Sequence, residues 1–325
     1  MRSIIFSLLL GVLTASAPPA PTSPAPPPET QPKVMAWPAL LSRPRPTPAR
    51  TIAYGADPLQ VADLWLPRSD LAARPRKTPI PTILMVHGGC WTTAIADRSI
   101  MNWIAADLAR RGYAVWNIDY RGVDRPGGGY PGTFLDVAHA ADALRANARA
   151  YHLDLSHLVV VGHSAGGHLG LWLAARPRLP ASSPLRTANP LPIHHVVSLG
   201  GLPDLEQARA EPNGCGPEVI DQLVGPPTTK ARPNLPDKPN LPDKNVYADT
   251  SLPRLAPIHV PQTLVNGDRD RIIPTPFATA YAAKMRARGD RVTIRMVTGV
   301  GHVELIAPET RAWAAAVDAI ARAVR

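Results

Sequence analysis

Val159-Val160-Val161-Gly162-His163-Ser164-Ala165-Gly166-Gly167-His168 decides how this chain is read. Three β-branched residues run straight into Gly-x-Ser-x-Gly, and the helix-forming stretch 169–175 follows. A strand, a tight turn and a helix in that order make a nucleophile elbow. The turn holds its central residue in a strained conformation, so Ser164 projects from the end of a sheet. Gly162 and Gly166 fit because a Cβ at either position would collide with the neighbouring strand or helix. Gly-x-Ser-x-Gly alone recurs by chance and then marks only a Gly-rich turn with an idle serine. The Val run before it and the apolar helix after it supply the missing context.

Working outward, apolar segments at 82–86, 113–120, 158–161, 195–199, 262–266 and 291–297 read as strands. Segments 95–110, 134–151, 277–288 and 308–324 carry helical spacing between and after them. Residues 51–54 and 61–66 read as a strand pair at the front. Apolar strands alternating with helices predict an α/β fold, a mostly parallel central sheet with helices on both faces.

The 325 residues are 45% hydrophobic, enough for a sizeable core. The formal charge of +10 comes mostly from scattered Arg interspersed with acids, which disfavours a nucleic-acid surface. Arg2, the apolar run 4–13 and Ala15-Ser16-Ala17 predict a cleavable signal peptide at 1–17, and so a secreted or periplasmic protein. A ten-residue apolar run is too short to span a bilayer, so no stable membrane insertion is expected.

Residues 18–48 hold 12 of the 39 prolines and predict a disordered, extended linker. The folded domain is expected over 49–325, broken by an irregular insertion at about 206–256. Within it Pro-Asn-Leu-Pro-Asp-Lys occurs at 233–238 and again at 239–244. The insertion reads as a surface loop or as a cap over a pocket. Export permits a disulfide between the only cysteines, Cys90 and Cys215; two unrelated buried thiols are the plainer expectation. No Cys/His spacing resembles a zinc site.

A serine hydroxyl is a poor nucleophile until a His takes its proton and a carboxylate orients that His. Behind an elbow of this kind the order is Ser, then Asp or Glu, then His. Asp270 lies in Gly267-Asp268-Arg269-Asp270-Arg271-Ile272-Ile273-Pro274, after a predicted strand, and is the expected acid, ahead of Asp268 and then Asp204. His302 follows the last strand, 32 residues beyond Asp270, and is the expected base. His163 and His168 flank Ser164 and are expected to pack or hydrogen-bond at the elbow. Backbone N–H groups of Gly88, Gly89 and Cys90, with that of Ala165, suit an oxyanion hole. His87 is expected to brace that loop, and Trp91 to pack beneath it or line the pocket.

Taken together, these motifs resemble the α/β-hydrolase superfamily, and within it the esterase/lipase branch near kynurenine formamidase and the feruloyl-esterase-like (BD-FAE-type) hydrolases. The resemblance rests on His87-Gly88-Gly89-Cys90-Trp91, Asp119-Tyr120-Arg121-Gly122 and Gly162-His163-Ser164-Ala165-Gly166-Gly167-His168-Leu169. Gly201-Leu202-Pro203-Asp204-Leu205, Gly267-Asp268-Arg269-Asp270 and Gly301-His302-Val303-Glu304-Leu305-Ile306 add to it. It implies the α/β-hydrolase fold and a Ser164–Asp270–His302 triad, with no metal or organic cofactor. The expected function is secreted hydrolysis of small-molecule carboxylic esters through an acyl-enzyme. The alternatives are aryl formamide cleavage by the same residues, and an inactive binding protein on the same scaffold. The signal, the Pro-rich leader, Cys90 and the repeated hexapeptide depart from the family pattern.

Overall fold

The structure, a computed structural model, describes residues 33–67, 78–211, 214–225 and 245–324. The expected signal, residues 18–32 of the Pro-rich stretch and both hexapeptide copies lie outside the described residues. In chain order the elements are α1 (Trp37–Leu41), β1 (Arg50–Ala53), β2 (Val61–Trp65), β3 (Ile80–Val86), α2 (Asn102–Arg110) and β4 (Ala114–Ile118). They continue with α3 (Gly132–Ala148), β5 (Leu153–His163), α4 (Ala165–Ala175), β6 (His195–Leu199), α5 (Leu205–Ala210) and α6 (Pro217–Val224). The last are α7 (Leu252–Leu255), β7 (Gln262–Gly267), α8 (Pro276–Arg286), β8 (Val292–Val297) and α9 (Arg311–Ala323).

Eight strands form one sheet in the order β1-β2-β4-β3-β5-β6-β7-β8. β2 runs antiparallel to β1 and β4, and the other pairs are parallel. Side chains alternate across the pleat, so each central strand feeds two cores. Leu84, Val86 and Val160 pack with Phe134 of α3, Trp172 of α4 and Tyr281 of α8 on one face. Ile83, Met85, Val159 and Val161 pack with Leu108 of α2 and Trp313 of α9 on the other. The predicted helix-covered parallel sheet is therefore present, and strands buried on both faces explain the near-continuous apolar runs. Among the described residues no helix is long and apolar enough to cross a membrane.

Two expectations need correction. The compact unit that holds the sheet spans Lys33–Arg325, so it begins well before residue 49. Leu40 of α1 is fully buried, and the Pro44 and Pro46 carbonyls accept bonds from Trp103 Nε1 (3.1 Å) and Asn102 Nδ2 (3.0 Å). Proline removes a donor but keeps its carbonyl, and Pro38 sits in the first turn of α1, where its missing N–H costs nothing. A Pro-rich composition therefore did not exclude docking here. The insertion is also more regular than expected, since its described parts include α6, α7 and most of α5.

Candidate active site

Parallel strands deliver their loops to one edge of the sheet, and the loops after β3, β5, β7 and β8 meet there. At the elbow, Ser164 has φ +52° and ψ −120°, a sparsely populated conformation held by its surroundings. Ser164 N–H donates to the Leu199 carbonyl (2.9 Å), and the Ser164 carbonyl accepts from Gly167 N–H (2.8 Å). The glycines are forced by close approach. A Cβ on Gly162 would stand 2.1 Å from the Gly166 carbonyl oxygen, and one on Gly166 would stand 2.1 Å from that of Val86. Ala165 opens α4, so its N–H belongs to the unsatisfied first turn of a helix whose positive end faces the site.

Asp270 and His302 meet as the spacing predicts. His302 Nδ1–H donates to Asp270 Oδ2 at 2.6 Å, with both residues 5% exposed. The other carboxylate oxygen, Oδ1, accepts from the backbone N–H groups of Ile272 (2.9 Å) and Ile273 (2.8 Å). The acid is thus locked by its own turn before it touches the imidazole. Asp268 instead accepts from Gly299 N–H (2.7 Å), tying together the loops that follow β7 and β8. Asp204 caps α5 and pairs with Lys284 (2.5 Å). Among the hydrogen bonds of the described residues, the His302 ring pairs with Asp270 and with neither of these.

Ser164 and His302 line one cavity, although among the described residues no hydrogen bond joins their side chains. A ring held on Nδ1 by a buried carboxylate presents Nε2 as the proton acceptor, and such contacts commonly tighten only when substrate is bound. His163 packs against His302 with ring centroids 4.5 Å apart, and its Nε2–H donates to the His302 carbonyl (3.3 Å). Burial, then the neighbouring His302, pushes the His163 imidazole well below its ordinary value, so it stays neutral. His168 Nε2–H donates to the Thr250 carbonyl (2.8 Å). Both flanking imidazoles therefore pack and hydrogen-bond, as expected.

The loop 87–91 follows β3 and closes over the elbow. A Cβ on Gly88 would stand 2.9 Å from the Ser164 Cβ, so only glycine lets the backbone come this near. Gly89, Cys90 and Trp91 all have positive φ, at +107°, +50° and +53°, a sharp reversal that two non-glycine residues adopt only under constraint. The constraints are visible. His87 faces the Gly88 carbonyl through Nδ1 (2.6 Å) and Asp119 Oδ1 through Nε2 (2.9 Å). Arg98 bridges Asp119 and Asp63 at 2.8 Å each. Burial would raise the Asp119 carboxyl, but His87 and Arg98 outweigh it and hold the group below the usual carboxylate range. Trp91 is fully buried and packs edge-on to His168, beneath the loop.

Cys90 is bonded to Cys215, with Cα atoms 5.3 Å apart, where two unrelated thiols were the plainer expectation. The bond fastens the loop after β3 to the insertion. The remaining cavity wall was not read from the sequence: Trp37, Leu41, Ile95, Ala96, Ile100 and Ile272. Trp37 stands edge-on to His302 and His163, with centroids 6.4 and 6.3 Å away.

The sheet, the elbow and the buried Asp270–His302 pair define an α/β-hydrolase. The chain belongs to the BD-FAE family, whose model matches residues 69–285. It is similar to esterase LipC of Mycobacterium tuberculosis, 28% identical over 261 residues that cover 78% of this chain and 59% of LipC. The chain thus spans about three fifths of LipC, and smaller shares of the other curated relatives. Among solved structures it is similar to a truncated carbohydrate esterase from gut microbiota, with TM-score 0.64 and 21% identity over 86% of this chain and 97% of that one. Esterase B from Lactobacillus rhamnosis has TM-score 0.66 and 19% identity, covering 88% of each chain. At these identities the structural likeness speaks to the fold alone.

Proposed function

We propose that the protein hydrolyses carboxylic esters through an acyl-enzyme. Ser164 Oγ attacks the ester carbonyl carbon while His302 Nε2 takes the hydroxyl proton. Asp270 keeps His302 in the tautomer that has Nε2 free. The oxyanion is received by N–H groups from the Gly88-Gly89-Cys90 loop and by that of Ala165. His302 then gives its proton to the departing alcohol, and water, activated by the same ring, releases the acid. The observation that carries this reading is the 2.6 Å Asp270–His302 contact, beside a cavity that both His302 and Ser164 line. Esterase LipC and the other esterase relatives support the choice of ester over other acyl groups. Steady-state hydrolysis of p-nitrophenyl butanoate and N-formylkynurenine tests it. Faster turnover of the ester, abolished in Ser164→Ala, is expected. Turnover of the formamide alone would transfer the same mechanism to amides.

The proposal extends to location, with the protein acting after export. The signal-like residues 1–17 support this, as does a Cys90–Cys215 bond of the kind that oxidising compartments preserve. N-terminal sequencing of the protein recovered outside the cytoplasm is expected to begin after Ala17. An intact Met1 on all of the mature protein would contradict it.

A further inference from the structure

We propose that Trp37 and Leu41 of α1, facing Ile95, Ile100 and Ile272, form a subsite for an aliphatic chain of about four to eight carbons on the ester, and that α1 thereby sets chain-length preference. The inference rests on reading Ser164 and His302 as an ester-cleaving pair. Its starting point is where the apolar surface lies. Among the described residues three large hydrophobic side chains are exposed: Ile95 (64%), Leu41 (42%) and Met296 (38%). Single exposed apolar residues are ordinary. Two of these three, however, line the cavity that holds Ser164 and His302.

Behind them the wall continues through Trp37, Ala96, Ile100 and Ile272. The lining side chains that carry polar atoms are Ser164, His163, His302 and Trp37, the last through its indole N–H alone. A sugar in this cavity would find no carboxylate or amide side chain for its hydroxyls, whereas an alkyl chain needs none. Trp37 packs edge-on to both imidazoles, so the apolar wall reaches the reacting groups. The wall is also fixed. Leu40 is buried beneath it, Met35 N–H donates to Glu304 Oε1 (2.5 Å), and Arg43 pairs with Glu309. α1 lies outside residues 69–285, so its share of the wall, Trp37 and Leu41, is supplied from beyond the family-matched segment.

Size sets the chain length. The cavity measures about 220 Å³. On the scale where an apolar cavity of about 150 Å³ takes a benzene ring, this is room for about nine heavy atoms. Three of them are the ester group, which leaves about six carbons. The chain can belong to the acyl or to the alcohol side, and the experiment separates the two.

The test is kcat/KM on two series, p-nitrophenyl esters from acetate to dodecanoate and alkyl acetates from ethyl to octyl. Burying a methylene is worth up to about fourfold, so partial burial of four gives a rise of about tenfold to a hundredfold from acetate to hexanoate, or from ethyl to hexyl. One series shows the rise, and that series identifies the side of the ester which occupies the subsite. Leu41→Ser and Ile95→Ser each lower the long-to-short ratio about threefold to tenfold, chiefly through KM. Met296→Ser keeps the wild-type ratio. Flat profiles in both series, or ratios that neither Leu41→Ser nor Ile95→Ser moves, overturn the subsite while leaving ester hydrolysis standing. Absence of any Ser164-dependent ester hydrolysis overturns both.

Discussion

Asp270→Asn isolates the role of one carboxylate oxygen. Oδ1 of Asp270 already accepts two backbone N–H groups, from Ile272 and Ile273. The amide oxygen of an asparagine takes that place at little cost, since the turn needs only an acceptor there. The amide nitrogen then occupies the position of Oδ2, 2.6 Å from His302 Nδ1 in the parent protein. It carries hydrogens where an acceptor is required. His302 relieves the clash by moving its own hydrogen to Nε2, and Nε2 can no longer take the Ser164 proton. The loss is therefore one of function and not of folding. Its size is about ten-thousandfold in kcat, or about 5.4 kcal/mol of transition-state stabilisation. Steady-state kinetics on p-nitrophenyl butanoate measures it, with a urea melt to show that the fold is kept. A well-folded Asp270→Asn protein within tenfold of wild type would refute the reasoning.

Asp119→Asn should loosen the His87 brace and lower kcat about tenfold to a hundredfold with little change in KM, because it disturbs the oxyanion loop and not the cavity wall. An unchanged kcat would remove Asp119 from the account. The Cys90–Cys215 bond spans a sequence separation of 125. Cys215→Ala is expected to lower unfolding stability by about 2–5 kcal/mol in urea titrations, and a change under about 1 kcal/mol would contradict this. Stability should also fall in mild acid. Burial pulls the His168 imidazole down to about 4, against its bond to the Thr250 carbonyl. Burial, with Arg291, pulls His195 to about 4 as well. The unfolded chain takes up these protons near pH 6.5, so between about 6.5 and 4 it binds more protons than the folded one. Stability is then full above that window and is lost as pH falls through it, with His168 contributing on the order of 3 kcal/mol. A urea midpoint constant from pH 7 to 4.5 would count against it.

The candidate site residues were legible because each follows its own strand in an order that the elbow dictates. Gly162, Ser164 and Gly166 announce a turn that few other residues fit, and Asp270 and His302 occupy the loops after β7 and β8. The choice of Asp270 over Asp268 lay in local spacing, and the structure gives its reason: Asp270 closes a turn on Ile272 and Ile273, whereas Asp268 ties its loop to Gly299 in the loop after β8. The cavity wall was not legible. Trp37, Leu41, Ile95 and Ile272 come from three separate segments, and nothing local marks them as neighbours. Residues 33–48 were hidden by composition, since prolines mask a segment whose Leu40 and carbonyls are used by the fold. The run Trp37-Pro38-Ala39-Leu40-Leu41 was the available signal: three large apolar residues within five positions of a Pro-rich stretch. The disulfide was equally out of reach, because pairing two cysteines 125 residues apart requires knowing that the insertion returns to the loop after β3.

The account depends on one hydroxyl being activated. The direct measurement is reaction of the full chain with a fluorophosphonate, followed by peptide mapping in a mass spectrometer. A single adduct on Ser164 is predicted, formed more slowly in His302→Ala and absent in Ser164→Ala. An unlabelled wild-type protein, or an adduct on any other serine, would contradict it.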